Sequence, residues 1–277
     1  MRIKYTLAAP LSHIGESAST GSYFQTVLTS KGRLPVVTGN SIRGQLRDAM
    51  AMHWLDMTGA KLDKDTFNLF FSGGNLNGTM KNDVAKAKAV REHFPMISLL
   101  GGGLGDMILA GKLLVTMAYP VCRESEEITG IPSDLSWHSL IEEIEFTRMD
   151  DGKNELLEKY LEYADEEKTA KASTQMRFSV QYLAAGTELV QDFIFLPGTT
   201  DLELGAFYAG LKKWFEIPRM GGMASKGFGF FEPDCNIDEN LVHAYEDFIR
   251  AEGAEYLPVL STKKEKRKSG KAGDKAD

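Results

Sequence analysis

The stretch that most constrains this chain is Leu34-Pro35-Val36-Val37-Thr38-Gly39-Asn40-Ser41-Ile42-Arg43-Gly44-Gln45-Leu46-Arg47-Asp48. An apolar extended run, Leu34 to Val37, meets a Thr-Gly-Asn-Ser turn that opens a helix. The side chain of Asn40 or Ser41 is suited to cap that helix, because it can accept from the first free backbone N–H groups. Ile42, Leu46, Ala49, Met50, His53 and Met57 recur at helical spacing. That spacing predicts a buried face on a helix running to about Thr58 and stopped near Gly59. Arg43 and Arg47 are four apart and project from one side of the first two turns. A helix N-terminus attracts anions through its unpaired N–H groups and dipole, so two arginines beside it make a phosphate cradle. The same pattern also describes an ordinary solvated helix face with two arginines, and the stretch alone leaves both readings open.

Charge is the next constraint, because a net charge of −7 looks wrong for a nucleic-acid binder. It is, however, segregated. Glu124 to Glu167 holds 15 acids and 3 bases, whereas Ser17 to Arg47 has no Asp or Glu and carries Lys31, Arg33, Arg43 and Arg47. Ser261 to Asp277 holds 7 bases and 3 acids among Gly and Ser, which predicts a disordered basic tail. Local potential rather than net charge governs phosphate binding, so a basic N-terminal surface is expected. No apolar run approaches the roughly 18 residues of a membrane span, and no signal-peptide pattern opens the chain. Cys122 and Cys235 are far apart, without Cys-x-x-Cys or a nearby histidine pair, which argues for a reducing cytoplasm and against a zinc site. No cofactor and no membrane association are expected.

In chain order, Ile3 to Leu7 alternates as a half-buried strand ended by Pro10. A Ser/Thr/Gly-rich loop then reaches Tyr23-Phe24. Residues 60–110 read as an insertion packed on the main fold, with a polar helix over Asp83 to His93 and a flexible loop over Gly101 to Gly105. Leu113 to Pro120 reads as a strand. The acidic segment predicts one helix at Leu135–Glu145 and another around Glu155–Ala164. Met176 to Tyr182 alternates, turns at Ala185-Gly186-Thr187 and continues into a second strand, Leu189 to Leu196. Leu202 to Trp214 has helical spacing, and a last helix spans about Glu239 to Glu252.

Stripped of insertions, this order is that of an α+β fold with a ferredoxin-like (RRM-like) βαββαβ core, carrying a large insertion and a thumb-like excursion. It predicts a single domain over residues 1–260, with the insertion at about 60–110, the thumb-like segment at about 146–177 and the tail at 261–277. Between the last helix pair lies Arg219-Met220-Gly221-Gly222-Met223-Ala224-Ser225-Lys226-Gly227-Phe228-Gly229. Such a loop lets backbone approach a ligand and offers N–H groups to phosphates, although flexible turns look the same. The chain carries neither a nucleotide P-loop nor a dinucleotide fingerprint, because at Gly105 to Gly111-Lys112 five residues intervene and Leu113 stands where Ser or Thr is needed, and no Gly-x-Gly-x-x-Gly occurs.

His13-Ile14-Gly15 after the first strand, Pro35 through Arg47, and Gly221 through Gly229 together resemble the CRISPR-associated RAMP superfamily. The balance is most similar to its seven-family crRNA-binding backbone subunit, of a type IV-like or type III-like system. The resemblance implies a subunit that binds crRNA and target nucleic acid and polymerises with copies of itself in a helical filament alongside other effector subunits. It implies RNA-binding roles for His13, Asn40, Ser41, Arg43, Arg47, Arg219, Lys226 and the loop glycines Gly221, Gly222 and Gly227. It also implies a thumb between Phe146 and Arg177, where Met149 or Met176, flanked by Arg148 and Arg177, would wedge between bases; a methionine there also reads as plain core.

Type III backbone subunits cut RNA with an aspartate in the loop before the helix. Here the Ser17–Thr38 segment has no carboxylate, and Phe24 and Gln25 stand where the acid would be. Metal-assisted cleavage needs an oxygen ligand, so a non-catalytic subunit is expected and a type IV-like assignment favoured. Two alternatives stay open: a RAMP ribonuclease using His13 as a general base on the 2′-OH, and an unrelated protein–protein module using the acidic face.

Overall fold

The computed structural model describes residues 1–18, 21–76, 83–105, 107–148 and 176–260. Strands β1 (Arg2–Leu7), β2 (Ile14–Ala18), β3 (Gly21–Phe24), β4 (Thr26–Thr29) and β5 (Gly32–Pro35) precede helix α1 (Gly39–Thr58). The next region holds α2 (Lys64–Ser72), β6 (Gly74–Leu76), α3 (Val84–His93), α4 (Pro95–Leu100), β7 (Gly102–Gly105) and β8 (Met107–Leu109). Then come β9 (Leu113–Val115), β10 (Tyr119–Pro120), the short α5 (Glu126–Thr129), β11 (Ile141–Arg148), β12 (Met176–Leu183) and β13 (Glu188–Phe195). Helix α6 (Asp201–Phe215), β14 (Phe231–Asp234), α7 (Glu239–Glu252) and the single turn α8 (Leu257–Leu260) follow.

The main sheet is built around β1. Its alternation buries Ile3, Tyr5 and Leu7, and it pairs antiparallel with β13 on one side and β14 on the other. Strands β10 and β9 both pair with β13 beyond it. The Leu113–Pro120 run is thus two short strands separated by Thr116-Met117-Ala118 rather than one. Helices α1 and α6 pack against each other, and α7 packs on α6. Gly210 permits that approach, since a Cβ there would lie 2.2 Å from Cγ of Met50.

Insertion residues Leu69, Phe70, Val90, Phe94, Ile97 and Leu100 belong to the same buried cluster as β1 and α1. Trp54 of α1 sits edge-on to Phe70 in that cluster, and it, rather than His53 or Met57, is the fully buried residue of the helix's last turns. Glu203 ties this region to α6. Only 1% exposed, it closes a capping box with Thr200, accepts from the Ser98 hydroxyl and meets Lys112 Nζ at 2.8 Å. Burial by itself pushes the Glu203 carboxyl up, but Lys112, Ser98 and the Thr200 amide outweigh it and hold the pKa below the ordinary value.

A second sheet runs β11-β12-β3-β2. Here two expectations fail. The acidic segment is not helical at Leu135–Glu145: a 3₁₀ turn at Trp137–Ser139 leads into β11, which pairs along its whole length with β12. Pairing with a long alternating partner overrides the helix preference of its glutamates. The Ser/Thr/Gly-rich stretch leading to Tyr23-Phe24, expected to be a loop, is largely strand, β2 pairing with β3, and a second ladder, β4 with β5, leads into the expected extended run. Strands β12 and β13 follow each other around Gly186, whose φ is +83°, yet they enter different sheets. The helix expected around Glu155–Ala164, the wedge candidate Met149 and the basic tail lie outside the described residues. Among the described residues, no helix is long and apolar enough to cross a membrane.

Candidate nucleic-acid interface

The segment after β1 is where the expected site residues meet. Leu11 bridges to Leu183 of β12, and Ser12 bridges to Gly222 of the glycine loop. His13 then reaches the start of α1. Its Nε2 lies 3.2 Å from both the Thr38 amide nitrogen and Thr38 Oγ1. Since the amide can only donate, Nε2 is the acceptor there and the imidazole is neutral with its proton on Nδ1. Burial lowers the His13 pKa in keeping with that state, and Phe24 lies edge-on to the ring. His13 therefore pins two segments together, with the nitrogen that a general base would use already engaged.

Thr38, not Asn40 or Ser41, caps α1: its backbone is extended and its hydroxyl accepts from the Ser41 amide at 3.4 Å. The cap lies two residues before the nearer of those candidates because Gly39 is pressed on β9, where a Cβ would lie 2.2 Å from the Val115 carbonyl oxygen. That leaves Asn40 exposed and Ser41 half-buried at the helix mouth.

Arg43 and Arg47 do not form a solvent face. Arg47 is 9% exposed and donates to the carbonyls of Leu69 (3.4 Å), Leu100 (3.3 Å) and Gly101 (3.0 Å). Arg43, half-buried, donates to Leu113 (3.1 Å) and Leu100. Both guanidiniums thus satisfy carbonyls at the ends of α2, α4 and the start of β9, where helix dipoles favour cations. Burial, and then the charge of Arg43, bring the Arg47 guanidinium down to about 10. The basic surface thins elsewhere as well, since Lys31 pairs with Glu127 at 3.2 Å.

The glycine loop is held by its backbone. Gly222 donates to Ser12 and Gly229 to Pro10, each at 2.7 Å, while the Lys226 and Gly227 amides donate to Met223 and Ala224. Those four amides are spent within the fold, so they do not make the phosphate cradle expected of them. Gly221, at φ +73°, is obligatory, because a Cβ would sit 2.3 Å from the Ser12 carbonyl oxygen. Met223 is the one described non-glycine residue at positive φ, +58°. It opens a 3₁₀ turn, Ala224–Lys226, with Gly227 as its left-handed cap. Lys226 at this tip is exposed and lies 4.0 Å from the centroid of the Phe146 ring on β11. Arg219 is also exposed, but at the loop's other end, lining a groove between α1 and the end of α6 with Asp48 and Glu216. Arg148 and Arg177 fall at the far end of the β11–β12 ladder, where Arg148 is opposite Met176 and Thr147 opposite Arg177; their side chains lie outside the described residues.

His13, the α1 mouth with Asn40 and Ser41, and the base of the glycine loop, Gly221 and Gly222, therefore meet at Leu11–His13, while Lys226 and Gly227 stand at the loop tip beside β11. Arg43, Arg47 and Arg219 are directed elsewhere. Phe146 was missed in the sequence, where its alternation with Ile144 is masked by the surrounding glutamates. Among the described residues no group of three His, Cys, Asp or Glu side chains is placed to hold a metal ion.

Comparison with known proteins gives the family and a likeness of fold. The family model of the RAMP superfamily matches residues 4–232. Among solved structures, a chain of one described as a "Type IV-B CRISPR Complex" has a similar fold, with a TM-score of 0.60 and 16% identity over 84% of this chain and 88% of that one. No curated protein matches.

Proposed function

This chain belongs to the RAMP superfamily, and from that premise we propose that it is a crRNA-binding backbone subunit of a type IV-like CRISPR effector complex, without nuclease activity. The observation that carries the reading is the convergence, inside the matched span, of the α1 mouth, the glycine loop and the β11–β12 ladder on Leu11–His13. The resemblance at the fold level to a chain from a type IV-B CRISPR complex supports it. The sheet order β14-β1-β13-β10, antiparallel throughout and backed by α6, whose Trp214 and Phe207 meet Tyr5, Phe231 and Phe193, supports reading the core as ferredoxin-like.

Two features support a subunit that does not cut RNA. Buried Phe24 and half-buried Gln25 occupy the position of the expected acid, and His13 Nε2 is engaged by Thr38. In the cell the partners would be crRNA, a complementary target, other effector subunits and further copies along the guide. The test is expression with and without a CRISPR array, followed by purification at moderate salt. RNA of defined length in a large particle is expected, with affinity falling steeply as salt rises. Cleavage abolished by His13→Ala would replace this reading with a ribonuclease, and a nucleic-acid-free monomer at low salt would leave a protein–protein module.

A further inference from the structure

The β11–β12 ladder sorts its side chains by chemistry. Residues directly opposite in an antiparallel pair share a face, so Ile144 with Val180 and Phe146 with Phe178 lie on one side. Glu143 and Glu145, on either side of Ile144 in sequence, point to the other side. On the shared apolar face the inner end is covered: Val180 is fully buried, and Phe228 of the glycine loop stands edge-on to Tyr182. The face opens from the Ile144–Val180 rung outward, with Ile144 36% and Phe178 37% exposed. Lys226 closes one rim, 4.0 Å from the Phe146 ring. One carboxylate, Glu142, shares this face, but it sits opposite Tyr182, two pleats inward of Phe146.

An exposed aromatic ring, Phe178, in cross-strand register with half-buried Phe146, bordered by a cation and with the strand's other carboxylates turned away, matches single-stranded nucleic acid. Each base offers a π face to an aromatic ring, and the phosphate beside it needs a positive charge. Continuity with the glycine loop and the α1 mouth extends the same surface. We propose that Phe178, in register with half-buried Phe146, forms a stacking platform for a base of single-stranded RNA, with Lys226, seated on the Phe146 ring, beside the adjoining phosphate. This rests on the RNA-binding reading above and adds to it a base-stacking site that is indifferent to sequence.

The test compares full-length wild type with Phe178→Ala and Phe178→Trp, using a fluorescein-labelled oligouridine and an abasic oligomer of equal length. Thermal melting first checks that both variants fold, and Phe178→Leu serves if alanine does not. Phe178→Ala should bind oligouridine about tenfold more weakly, while its affinity for the abasic strand and its salt slope stay those of wild type. Phe178→Trp should restore the loss. Wild type that binds both strands equally, or a Phe178→Ala variant that binds oligouridine normally, overturns the platform while leaving RNA binding intact. Loss of self-association without loss of RNA affinity makes the face a contact between copies and also overturns it. Wild type that binds neither strand overturns the RNA reading itself, and the platform with it.

Discussion

Arg47 and Lys226 carry the same charge in opposite surroundings. Arg47 is enclosed by the carbonyls of Leu69, Leu100 and Gly101, whereas Lys226 stands exposed over Phe146 at the tip of a backbone-pinned loop. The first belongs to the architecture: α2 and α4 end inside the protein, and their free carbonyls need donors that water cannot supply. The second is available to a ligand, because its own loop amides already satisfy the backbone around it. A basic residue in a motif therefore has two destinations, and what separates them is whether unpaired carbonyls lie within its reach.

The comparison is broken most severely at buried charge. Lys112→Ala would leave Glu203 enclosed without its cation, and an expected loss of about 3–5 kcal/mol should appear in urea unfolding. In wild type the Glu203 contribution is present above the ordinary carboxylate range and is lost as pH falls below about 4, because its folded-state pKa is depressed. A Lys112→Ala variant should not show that acid limb.

Next is Arg47→Ala, which removes the donor to the Leu69 and Gly101 carbonyls while Leu100 keeps Arg43, and should cost about 2–4 kcal/mol. RNA affinity measured on the fraction that remains folded should change little. A variant of native stability that no longer binds RNA would show that Arg47 reaches the ligand after all.

His13 sharpens the comparison through pH. Burial holds its pKa below about 6.5, the ordinary value, so the unfolded chain takes up a proton first as the solution acidifies. Its stability contribution is complete above pH ~6.5 and declines as pH falls towards the folded-state pKa. His13→Gln keeps an acceptor for the Thr38 amide, and its melting temperature should depend less on pH between about 7 and 5. His53, shifted in the same direction by burial, should preserve part of the slope.

Smallest in stability is Lys226→Ala, within about 0.5 kcal/mol of wild type because the site is exposed. Its effect belongs to binding: the slope of log affinity against log salt should fall by about one. A large drop in melting temperature would mean that the contact with Phe146 is structural.

Local signals carried far in this chain. The alternation of Ile3, Tyr5 and Leu7, the span of α1 with its left-handed Gly59 cap, and the Glu239–Glu252 helix were all legible, because each follows from periodicity and terminal residues close along the chain. The family, too, was legible from Pro35–Arg47 and Gly221–Gly229. What the sequence could not decide was pairing. β11 is a strand because β12 lies beside it, Thr38 is the cap because Val115 presses on Gly39, and Arg43 and Arg47 are buried because two helices end against them. Each of those outcomes depends on a partner dozens of residues away, and only folding brings that partner within hydrogen-bonding distance.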